Sequence, residues 1–171
     1  MRQKEYLEHF LSKEDGVNMF RGVNAINIDA KGRIVMPTRY RERLLQENEN
    51  QIIMTIDTDE RCLLIYPLKA WEVIENKLAQ LPSFNPQARR IQRLLIGHAT
   101  EAELDSHGRI LLAPLLREYA GLTKHAVLVG QGKKFELWDE NHWQERRGQW
   151  LAEEASQANA DLPDEVKVLS L

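Results

Sequence analysis

The sequence predicts an α+β, β-rich fold made of two tandem copies of one small module, joined and followed by helices. Three observations predict it. An ordered set of residues recurs 76 positions later, each copy alternates short apolar runs with turn residues, and the stretches between and after the copies carry apolar residues at helical spacing.

Composition bounds the problem. A chain of 171 residues with 43% hydrophobic and 29% charged residues falls in the range of soluble globular proteins. No run of about 18 apolar residues is present, so no membrane span and a cytoplasmic location are expected. Residues 1–18 mix acidic and basic side chains without an apolar core, which argues against a secretory signal. Cys62 stands alone, excluding an internal disulfide and a cysteine cage for zinc.

The repeat is explicit. Ile28-Asp29-Ala30-Lys31-Gly32-Arg33-Ile34-Val35-Met36 returns as Leu104-Asp105-Ser106-His107-Gly108-Arg109-Ile110-Leu111-Leu112, and Arg41-Glu42 returns as Arg117-Glu118. Further on, the offset falls to 72, with Leu64-Ile65-Tyr66 over Glu136-Leu137-Trp138 and Trp71 over Trp143. A shortened loop between strands is the expected cause. Duplication explains this series better than chance does.

Taken in order, each copy begins with a strand (Val23–Ile28, Glu101–Leu104) that enters Asp-x-x-Gly and leaves as a second strand (Arg33–Met36, Arg109–Leu112). Asp suits the first position of a turn because its carboxylate accepts nearby backbone N–H groups, and Gly32 and Gly108 supply the positive φ that closes it. Two strands joined this tightly read as a hairpin. Pro37 and Pro114 then open short helices, about Thr38–Leu45 and Leu115–Ala120, the second stopped at Gly121. Strand pairs follow at Gln51–Ile56 with Cys62–Tyr66, and at Ala126–Gly130 with Phe135–Trp138 around Gln131-Gly132-Lys133. Trp71–Leu81 has helical spacing, and Asn85-Pro86 opens a helix to Leu95 bearing Arg89, Arg90 and Arg93. That helix reads either as an amphipathic connector, the preferred reading, or as a basic arm. Glu140–Ala158 forms a last helix before a polar, acidic end that is expected to be loosely held. The expected divisions are therefore 1–18, an extension read as the product of an upstream start, with a true N-terminal arm as the rival reading; 19–70, the first module; 71–97, a helical connector; 98–142, the second module; and 143–171, a helix and acidic tail.

Charge is unevenly spread. The net charge is -3, yet Arg21–Leu44 holds six basic residues against two acidic, and Asp139–Leu171 holds three basic against eight acidic. The local field, not the sum, steers a polyanion, although surface charge also varies without purpose.

The Asp-x-x-Gly-Arg-Ile turn followed by a short helix resembles the SpoVT-AbrB swapped-hairpin module, a double-psi-barrel-like fold found in bacterial transition-state regulators and certain antitoxins. Two such modules, with Met19-Phe20-Arg21-Gly22, Arg89-Arg90-Ile91-Gln92-Arg93 and Phe135-Glu136-Leu137-Trp138, resemble the MraZ family from Met19 to near the end. Ala113 departs from that pattern, which often has a further proline there. The resemblance implies a transcriptional regulator, read as a repressor, of the cell-division and cell-wall gene cluster containing its own gene. It further implies short repeated promoter boxes in double-stranded DNA, a ring-shaped homo-oligomer, and association with the nucleoid. Within the turns it assigns the DNA-facing role to Arg33 and Arg109.

Physical chemistry supports those two independently. A guanidinium matches the O6 and N7 acceptors of guanine, and a two-stranded ribbon fits the major groove. Lys31 is the expected phosphate contact and His107 its weaker counterpart, with Arg21 a further candidate and Arg39, Arg41 and Arg43 equally explained as surface charge. Asp29 and Asp105, with Gly32 and Gly108, are read as turn-forming and arginine-positioning residues, not as catalytic groups. Arg33 and Arg109 have a simpler alternative, which is to bond only the Asp of their own turn. No metalloprotease, serine-hydrolase or phosphate-loop motif occurs, so no enzyme, cofactor, metal or small-molecule ligand is expected. Two other classes stay open: an antitoxin-like protein, whose C-terminal segment would fold on a toxin, and a ring-forming structural scaffold.

Overall fold

The computed structural model describes residues 19–156 and 163–169. The expected extension 1–18, and positions 157–162 and 170–171, lie outside the described residues. Those up to Glu140 form one unit, and those from Asn141 onward a second.

Among the described residues, eight strands make up the sheets of the first unit: β1 Phe20–Asn27, β2 Arg33–Val35, β3 Gln51–Ile56, β4 Leu63–Pro67, β5 Thr100–Glu103, β6 Arg109–Leu111, β7 His125–Gly132 and β8 Lys134–Asp139. Six of them build one antiparallel sheet in the order β1-β7-β8-β4-β3-β5, and β2 pairs with β6 in a separate ribbon. The long order is its own mirror under exchange of the repeats. β1 stands for β5, β7 for β3, and β8 for β4. Two pairs sit where a pseudo-twofold axis would pass: Ile34 opposite Ile110, 76 apart, and Leu64 opposite Glu136, 72 apart.

One expectation is corrected. β1 and β2 do not form a ladder with each other, nor do β5 and β6. The turn closes locally, and the strands then part: β1 pairs with β7 along its full length, from Phe20–Gly132 to Asn27–His125, while β5 pairs with β3. Local sequence dictates the tight turn, but strand partners are chosen by where the backbone N–H and C=O groups can all be satisfied. Here that requires the other repeat. The resulting mixed helix and antiparallel-sheet architecture is the α+β class that the sequence predicts.

Helices α1 Thr38–Asn48, α2 Leu68–Ala79, α3 Pro86–Leu95 and α4 Pro114–Ala120 complete this unit. Asn85 caps α3 as expected, its side chain accepting from the Gln87 and Ala88 N–H groups. Pro114 opens α4, whereas Pro37 sits just before α1 in extended conformation. The shift from 76 to 72 arises differently from the expectation: α4 has seven residues and α1 has eleven, a difference of about one helical turn. Both end on a left-handed residue, Glu49 and Gly121, and these are 72 apart.

The main core gathers Ile34, Met36, Leu44, Met54 and Ile65 with Ile110, Leu112, Leu128, Phe135 and Leu137, so both repeats fill one interior. A smaller cluster, Ile53, Leu64, Tyr66 and Trp71, packs α2 on the other face of the sheet. In the second unit, α5 (Glu140–Ser156) sets Trp143 against Trp150 with ring centroids 6.1 Å apart. The acidic end, expected to be loose, contains a short helix, α6 (Asp164–Lys167), preceded by Pro163. Asp164 and Glu165 in its first turn complement the helix dipole, and Lys167 Nζ meets Asp164 at 3.2 Å.

Candidate nucleic-acid interface

Each Asp-x-x-Gly-Arg turn is closed by the same set of bonds. In the first, the Asp29 N–H donates to the Arg33 carbonyl and the Gly32 N–H to the Asp29 carbonyl, both at 2.9 Å. Asp29 Oδ1 accepts the N–H groups of Lys31 and Arg33 at 2.9 Å, and Oδ2 accepts Arg33 Nε at 2.7 Å. The second turn repeats this: Asp105 Oδ1 accepts from His107 and Arg109 at 2.9 Å, and Arg109 Nε donates to Oδ2 at 2.6 Å. Donation from the following arginine's backbone N–H is the main cause that lowers both carboxyl pKa values, against a desolvation that raises them. Asp105 is pushed down to about 2. Both carboxylates are thus ionised at neutral pH, and each fixes its arginine through Nε. The two Nη groups at the fork's outer end remain for an external acceptor.

The strands that leave these turns form the ribbon. Arg33 pairs with Leu111, Ile34 with Ile110, and Val35 with Arg109. Alternation buries both isoleucines completely and puts Arg33, Val35, Arg109 and Leu111 on the opposite face. The ribbon is closed at both ends, where the Met36 N–H donates to the Gly108 carbonyl at 2.8 Å and the Leu112 N–H to the Gly32 carbonyl at 2.9 Å. The Arg33 and Arg109 side chains keep about a third of their surface accessible. Both arginines therefore stand on one face of one rigid element.

A comparison with known proteins fits this duplicated geometry. The profile of the family described as "MraZ protein, putative antitoxin-like" matches residues 19–94 and again 95–165. This chain belongs to the MraZ family. Its relatives include proteins named Transcriptional regulator MraZ from Coxiella burnetii, 60% identical over 153 residues, and from Legionella pneumophila and Halorhodospira halophila, each 56% identical. Each match covers 90% of this chain and 100% of the relative. No helix among the described residues is long and apolar enough to cross a membrane.

Within this MraZ-family chain the remaining candidates separate. Lys31 and His107 are exposed on the two turns, beside the arginines. Arg21 stands apart, near the far end of β1, separated from the turn by six residues of extended strand, roughly 20 Å. Arg39 is engaged by Asn24, and Arg43 lies 3.9 Å over the Phe20 ring and 3.4 Å from Glu47. On α3, Ala88 is buried and Leu94 and Leu95 pack on the two cores while Arg89, Arg90 and Arg93 face outward, the arrangement of an amphipathic connector. Asp57, Cys62 and Glu136 bring ligand-type atoms within 4.8 Å of one another, but Cys62 Sγ donates to Asp57 at 3.7 Å and burial pushes the thiol pKa far up. A protonated, packed thiol suits that position.

Sequence reasoning missed one residue. Arg117, on α4 of the second repeat, lies over Gly32 of the first, so that a Cβ there would be 2.7 Å from the Arg117 Cζ. Arg41, on α1, lies over Gly108 in the reciprocal place. The signal was present in the 76-residue register, which superposes Arg41 on Arg117.

Proposed function

We propose that this protein is a sequence-specific DNA-binding transcriptional regulator whose reading element is the β2–β6 ribbon with its two flanking turns. One observation carries the proposal: two Asp-held arginines, one from each repeat, share the exposed face of a ribbon narrow enough for the major groove. The regulator names of the relatives support it. Arg33 and Arg109 read base edges. Lys31 and His107 meet the adjacent backbone, and Arg21 meets a phosphate farther along the duplex.

The finer assignment rests on the family resemblance. The protein represses the cell-division and cell-wall gene cluster that contains its own gene, acts at short repeated promoter boxes, and works at the nucleoid as a ring-shaped homo-oligomer. Repeated boxes suit repeated ribbons, because linked sites gain affinity through effective concentration without new contacts.

The test is a mobility-shift assay on the DNA upstream of its own gene, comparing wild type with Arg33→Ala and Arg109→Ala. Each substitution is expected to cost about 1–3 kcal/mol of discrimination while the size-exclusion profile stays unchanged. Retained discrimination in both variants would overturn the proposal.

A further inference from the structure

We infer that Val35 and Leu111 are specificity-determining residues that contact the 5-methyl groups of thymines lying beside the guanines read by Arg33 and Arg109. This rests on the ribbon reading above and adds the second kind of base that the ribbon recognises.

Val35 and Leu111 are equivalents in the repeat, 76 apart, so both copies put an apolar side chain at the same place on the exposed face. They stay 47% and 59% exposed, while Ile34 and Ile110 beneath them are fully buried. Alternation in an antiparallel pair calls for polar residues on a solvent face, and each copy breaks that pattern once. A single exposed apolar residue is ordinary, but a matched pair set among arginines is not scattered surface.

The register fixes the arrangement. Arg33 stands opposite Leu111 and Val35 opposite Arg109, so the cations occupy one diagonal of the face and the apolar side chains the other. Opposite side chains start about 5 Å apart, and successive ones on the same face about 7 Å apart. A duplex rises about 3.4 Å per base pair, so each arginine has an apolar neighbour within roughly two base pairs. An occupant of this face must offer hydrogen-bond acceptors and apolar groups in alternation at that spacing. The major-groove edge does so, since guanine presents O6 and N7 and thymine presents its 5-methyl group. An apolar protein surface would instead leave both guanidiniums desolvated and without acceptors. Little ordering is needed on docking: the ribbon is closed at both ends, and Val35 is stiff about χ1.

The full chain is bound to its upstream DNA and to a random-sequence duplex, each made with thymine or with uracil, which lacks only the methyl group. For wild type, uracil is expected to weaken binding to the upstream DNA by about fourfold per methyl contacted, the worth of one buried CH2, and to leave the random duplex unaffected. The slope of log K against log salt should not change, because no charge is involved. In Val35→Ala and in Leu111→Ala the uracil effect should shrink by about fourfold, and in the double variant it should vanish. Each variant is compared with itself on the two DNAs, so any shift in stability cancels. Equal wild-type affinity for thymine and uracil DNA overturns the inference, as does a uracil effect that persists in the double variant. If Arg33→Ala and Arg109→Ala remove discrimination while wild type ignores uracil, this inference fails and the ribbon reading stands. If both arginine variants keep discrimination, the ribbon reading fails and takes this inference with it.

Discussion

Ile34 and Ile110 face each other across the β2–β6 ribbon, both fully buried, and each is the other's equivalent in the repeat. The pseudo-twofold axis passes between them, directly beneath the face that carries Arg33 and Arg109. The position of the two arginines is thereby tied to a single packed pair.

Truncating that pair should loosen both. Ile34→Ala is expected to cost about 2–5 kcal/mol in urea unfolding, the range for a large-to-small core change. Ile110→Ala should match it, and the double variant should depart from the sum because the residues touch. A cost under half a kcal/mol would show that the ribbon is not anchored there.

Two glycines should respond in opposite directions. Gly32→Ala forces a side chain into a left-handed backbone and toward Arg117, and is expected to lose at least 1–2 kcal/mol, of the order of the left-handed penalty. Gly148 lies inside α5 with nothing within 4 Å of an added Cβ. There the change to Ala should gain about 0.5–1 kcal/mol. Thermal and denaturant unfolding of the two variants measures both signs.

Asp105 should titrate near 2, below its ordinary 3.8, which carboxyl NMR can follow directly. Because the folded value is the lower one, the stabilisation is complete above about 3.8 and disappears as pH falls through 2. Asp105→Asn is therefore expected to flatten the acid limb of the stability curve in that window while changing its shape little near pH 7.

Glu136 behaves in the reverse sense. Burial raises its pKa, although Trp138 Nε1 donates to Oε2 at 3.0 Å and works against the rise. A carboxyl raised on folding favours the native state fully below its unfolded pKa and less as pH climbs through the folded value. Glu136→Gln keeps an acceptor for Trp138, so it should raise the melting temperature at pH 7 and have little effect at pH 4.

His107 occupies in the second turn the place that Lys31 holds in the first. His107→Lys is expected to tighten DNA binding and steepen the salt slope by about 0.9, equally on specific and random duplexes. An unchanged slope would show that this turn does not approach the backbone.

Much of this was legible in the residues. The strand Gln51–Ile56, the cap Asn85-Pro86 and the stop at Gly121 each rest on interactions within a few residues, and the structure places them where the sequence does. Partner choice was not legible. Asp29 and Gly32 specify a turn as strongly whether β1 then pairs with β2 or with β7, since the turn closes before the strands separate. Glu49, which adopts positive φ at the end of α1, carries no local signature of it, because the bond from its N–H to Leu45 stabilises what its side chain disfavours, whereas Asn50 beside it is a residue type that tolerates that conformation. Arg117 was hidden for a simpler reason: a cation on a helix reads as surface charge until the opposing turn is known.

The exchange of β1 and β5 between the halves has one more consequence. An assembly of two identical short chains would be obliged to present the same side chain at both ends of its ribbon. Joining the halves covalently lifts that obligation, so lysine can stand at one end and histidine at the other. The first unit keeps the strand order of a symmetric pair while its ribbon carries two unequal ends, and with them a built-in direction.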